Sequence, residues 1–97
     1  MGRRMTKGLD IDRERQQLVD AMMADHGSHW AEQYKPGSFG CHELLDRTAL
    51  LAGTVEHFLL THPACVQNKD WFALAQHAVA ALQELYQRIG EEHLNDR

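Results

Sequence analysis

Two long stretches of the chain repeat apolar residues at steps of three and four, the spacing of one helix face. In the first, Leu44, Thr48, Leu51, Val55, Phe58 and Leu59 form a seam, and Leu45, Ala52 and Leu59 form a neighbouring row. Ser38 can cap it, Glu43 suits a first turn, and Pro63 forbids continuation, so a helix is predicted over about 41–61. In the second, Asn68 is a capping residue and Gly90 a natural stop, which predicts a helix over about 69–89. Its inner face reads Trp71, Leu74, Ala75, Ala78, Leu82, Leu85 and Ile89, with Phe72, Val79 and Tyr86 in a second row off that seam. The short connection THPACVQN folds the two helices into an antiparallel hairpin.

A weaker stripe of Ile11, Leu18, Val19, Met22 and Met23 predicts a further helix over about 11–25, capped by Asp10 or Asp12. Between it and the hairpin, Gly27, Pro36, Gly37 and Gly40 break the periodicity, and Trp30, Tyr34 and Phe39 supply aromatic anchors. Leaving such rings in water forfeits about 1.5 to 3 kcal/mol each, so this loop is expected to pack on the hairpin. The expected architecture is all-α: a small helical bundle built as one domain over 10–97, preceded by a disordered basic tail over 1–9. Gly53 sits inside the first hairpin helix at a cost of about 1 kcal/mol relative to Ala, which suggests a close helix approach.

A second apolar row needs a second partner, and that requirement carries the functional expectation. Phe72, Val79 and Tyr86, together with Trp30, Tyr34 and Phe39, are candidates for contact with the first helix, with another protein or with a second copy. The leading expectation is a non-enzymatic interaction protein that self-associates or docks on a partner.

Composition narrows the alternatives. Of the 97 residues, 43% are apolar and the formal net charge is -4. Arg3, Arg4 and Lys7 precede the first acid, so the folded part is more acidic than the whole, which argues against a phosphate-backbone partner. No apolar run resembles a leader or a membrane span, and two cysteines are too few for a disulfide framework, so a cytoplasmic protein is expected.

Chemistry-bearing residues cluster in the segment 34–46. Lys35, Ser38, Gly40 and Cys41 combine charge, glycines and a helix start, a combination that could hold a small anion, and a helix start also favours a thiolate at Cys41. His42 and Asp46 stand four apart and could share a metal, although the run HELLD falls short of a zinc motif. Of the remaining histidines, His26 and His29 are spaced as a weak pair beside Trp30. His57, His62, His77 and His93 share no spacing and are expected to face solvent or to serve as single hydrogen-bond donors. No cofactor is called for. In outline the hairpin resembles the small helical proteins with which phages sequester nucleotide signals, a likeness of size and shape that implies a small anionic ligand.

Overall fold

The computed structural model describes residues 7–95. The fold is all-α, with no strand among the described residues. Contacts divide the chain into two units, one reaching to Glu32 and the other starting at Gln33.

The first unit holds α1, Lys7–His26, and the start of a short 3-10 turn, Trp30–Gln33. Lys7, Gly8 and Leu9 are helical rather than tail, whereas positions 1–6 lie outside the described residues. Local pairs along the surface of α1 support it, such as Arg15 with Asp12 at 2.9 Å and Gln16 with Asp20 at 3.1 Å. Gly27 ends it: its φ of 88° is one that glycine adopts without strain, and its N–H donates to the Met23 carbonyl at 2.9 Å. Ile11, Leu18, Met22 and Met23 are exposed.

The second unit is the hairpin. Helix α2, Phe39–Val55, starts on Ser38, whose Oγ accepts the Cys41 N–H at 3.1 Å, as expected of that cap. Past Val55 the backbone widens into a π-helical turn, Glu56–Leu60, where the Glu56 N–H reaches the carbonyls of both Ala52 and Gly53. The connection contains a short helix, α3, Pro63–Gln67, with the His62 ring accepting the Ala64 N–H at 3.1 Å. Asn68 then caps α4, Lys69–Asn95, by accepting the Trp71 N–H at 3.0 Å.

Gly90 does not end α4. It is helical, and a Cβ there would stand 3.8 Å from Leu45 Cδ1, an ordinary van der Waals contact that the space beside α2 would accept. Gly53, the expected point of close approach, has open space where its side chain would be.

The seam between the helices also differs from the expected one. On α2 the buried positions are Cys41, Leu45, Thr48 and Ala52; on α4 they are Val79 and His93, with Phe72, Ala75, Leu82, Ile89 and Gly90 half-buried. Val79, at 5% exposure, is the most deeply buried apolar side chain described. Phe72 and Val79 therefore lie on the hairpin seam and Tyr86, 42% exposed, at its edge, whereas Trp71 and Leu74 are more exposed still. The same exchange occurs on α2, where Leu45 and Ala52 turn inward and Leu44, Leu51 and Phe58 outward.

Continuity explains the choice. The steps 72, 75, 79, 82, 86, 89 and 93 run nearly the length of α4 without a charged residue, while the Trp71 row meets Arg88 and Glu92. On α2 the Leu44 row is interrupted by Arg47. The chosen rows also carry the small residues Cys41, Ala52, Ala75 and Gly90, which allow the backbones to approach. Thr48 joins the core because its hydroxyl donates to the Leu44 carbonyl at 2.8 Å.

Candidate interaction surface

Each exposed row stands one residue before its seam: Leu44, Leu51 and Leu59 precede Leu45, Ala52 and Leu60, while Trp71, Leu74, Ala78 and Leu85 precede Phe72, Ala75, Val79 and Tyr86. In two antiparallel helices the same rotational offset brings both rows to the same side of the pair, because the chain directions and the viewing directions reverse together. The opposite side obeys the same rule. There Ala49, Gly53 and Glu56 share a shallow open groove with Gln83 and Gln87, all but Glu56 one residue after a seam position.

One side of the hairpin is thus polar and small, and the other carries Leu44, Leu51, Leu59, Trp71, Leu74 and Leu85. Trp71 is 58% and Leu74 68% exposed, although both have the surface of core residues. Arg47 and Arg88 stand on these same rows, Arg47 between Leu44 and Leu51 and Arg88 beyond Leu85, and each pairs along its own helix, with Glu43 at 3.1 Å and Glu84 at 2.7 Å. Exposed apolar residues interspersed with arginine are a common composition of a protein–protein contact.

The aromatic loop contributes less than expected. Phe39 is 83% exposed and Tyr34 is also exposed, so these rings do not act as anchors within the hairpin unit; Trp30, in the first unit, is half-buried. Tyr34 does shape the loop, because it crosses α2 at Gly40. A Cβ at Gly40 would stand 2.5 Å from the Gln33 carbonyl oxygen and nearer still to the Tyr34 ring. Gly40 serves this crossing.

The loop's backbone donors are largely committed inside the protein. Ser38 N–H binds the Lys35 carbonyl at 3.0 Å, Cys41 N–H the Ser38 hydroxyl, His42 N–H the Ser38 carbonyl at 3.0 Å, and Gly37 N–H the ring of His93 at 2.8 Å. Few donors remain to cradle an anion. Cys41 is a free, buried thiol on the seam.

His42 and Asp46 do come together, with Nε2 and Oδ2 3.5 Å apart on an exposed stretch of α2. No group of three His, Cys, Asp or Glu side chains suited to a metal occurs among the described residues. The pair's neighbour is His93, whose ring centre lies 5.5 Å from that of His42. His93, expected at the surface, is 3% exposed.

Helical periodicity thus misses two features: the outward Trp71 row and the buried His93. The first has a signal in the sequence, the interruption of that row by Arg88. The second has none, because the partner of His93 lies 56 residues away. In comparisons with known proteins, the chain matches no family model, no curated protein and no solved structure. No helix among the described residues is long and apolar enough to cross a membrane.

Proposed function

We infer that this protein acts by association rather than catalysis, and that the apolar side of its hairpin docks against the same side of a second copy. The exposure of Leu44, Leu51, Leu59, Trp71, Leu74 and Leu85 on one side of the α2–α4 layer carries this reading. A two-helix layer buries one seam and leaves a face uncovered; stacking two such layers makes a four-helix bundle, in which every apolar row has a neighbour. A twofold arrangement also suits a face that is alike in size on both helices.

Sedimentation equilibrium of the full chain tests the reading. The wild type is expected to be dimeric at micromolar concentration, and Leu74→Glu with Leu85→Glu to be monomeric with its helical circular dichroism intact. A wild type that stays monomeric at about 100 µM, where even weak dimers of ~10 µM dissociation constant form, would overturn self-association. A monomer that instead holds a different protein through Trp71 and Leu74 would keep the face and change its occupant.

A further inference from the structure

We propose that His93 is a pH-operated latch that holds the Lys35–Ser38 turn against the last turns of α4 at neutral pH and releases it on acidification. The Gly37 N–H donates to His93 Nδ1 at 2.8 Å, joining residues 56 apart, whereas Ser38 and Asn68 bond only within their own turns. A backbone amide can only donate, so the ring nitrogen facing it must be the acceptor, and the proton of the neutral ring sits on Nε2. Protonating Nδ1 places one N–H against another. The bond is lost, and the turn loses its tie to α4.

The site is built for a single protonation state. His93 is 3% exposed, packed where α4 faces the start of α2. Gly37 reaches it with φ 90°, a conformation that glycine accepts without strain. The titratable and charged groups on the surrounding elements are Cys41, His42, Glu43 and Asp46 on α2, Lys35 on the turn, and Glu91 and Glu92 on α4 itself. Among them His42 stacks beside the latch, 5.5 Å away between ring centres and paired with Asp46 at 3.5 Å.

The sign follows from proton uptake. The closed latch excludes a proton from Nδ1 and the open one admits it, so falling pH favours opening, and closure is fully present only above the range in which histidines charge. His93 stands at the last position of the α4 seam row, away from its middle at Val79. The released segment is Tyr34–Phe39, with its two exposed aromatic rings.

Nuclear magnetic resonance of the full-length, 15N-labelled protein from pH 8 to 5 tests the latch. The protection factor of the Gly37 amide is expected to fall as the pH drops through and below the range in which histidines charge, while the Trp71 amide on its Asn68 cap keeps its protection. In His93→Asn the side-chain carbonyl takes the acceptor position without titrating, so Gly37 protection should become independent of pH. Gly37 protection unchanged in the wild type, or lost equally in His93→Asn, would overturn the proposal. Should His93→Asn fail to fold, the wild type decides alone: Gly37 protection that falls no more with acid than that of the Trp71 amide refutes it.

Discussion

At the scale of single residues, structure is set by what each side chain can reach. Ser38 and Asn68 are legible as caps in the sequence because their targets, the amides of Cys41 and Trp71, are three positions away. Asn68→Ala should cost about 1 kcal/mol, measurable by urea unfolding. Gly40 reads as an anion-loop glycine until the Tyr34 ring and the Gln33 carbonyl are seen to occupy the space of its side chain. Gly40→Ala should therefore lower stability by about 1–3 kcal/mol in the same experiment, because a backbone oxygen cannot step aside as a flexible side chain would. Gly53→Ala is the control: it meets open space in a helix and should stabilise by up to about 1 kcal/mol.

At the scale of elements, the sequence reveals that α2 and α4 exist, roughly where they begin, and that they are amphipathic. It does not reveal which of two adjacent rows faces inward. Rows one residue apart lie about 100° apart on a helix, and here both are apolar, so periodicity alone ranks them equally. Continuity and residue size decide: the Phe72 row runs uninterrupted to His93, and the Trp71 row ends at Arg88. The two rows should respond differently to truncation. Val79→Ala removes buried methyl groups from the seam and should destabilise the hairpin by about 1–3 kcal/mol. Leu74→Ser, made where two-thirds of the side chain already meets solvent, should leave the unfolding free energy of the monomer within about 0.5 kcal/mol. The reverse ranking in chemical denaturation would place the seam back on the Trp71 row.

At the scale of the whole molecule, the proposed association sets the expected behaviour. The stability of such a protein should depend on its own concentration: the melting temperature should rise with protein concentration in the wild type and stay flat in the Leu74→Glu, Leu85→Glu variant. That each hairpin helix carries two neighbouring apolar rows is legible in the sequence, although which of them forms the seam is not. The π-helical turn at Glu56–Leu60 bears on chain length. From Ala52 to the half-buried Leu60 is a step of eight, where a regular hairpin seam would take seven. The turn thus absorbs one surplus residue like a slack link, which makes it the place in α2 where the chain can be shortened without shifting the frame of the residues beyond it. Deleting His57 should give an unbroken α-helix with Leu60 still on the seam and a melting temperature close to that of the parent, whereas deleting Ala49, on a regular turn, should carry Ala52 and Leu60 off the seam and unfold the hairpin.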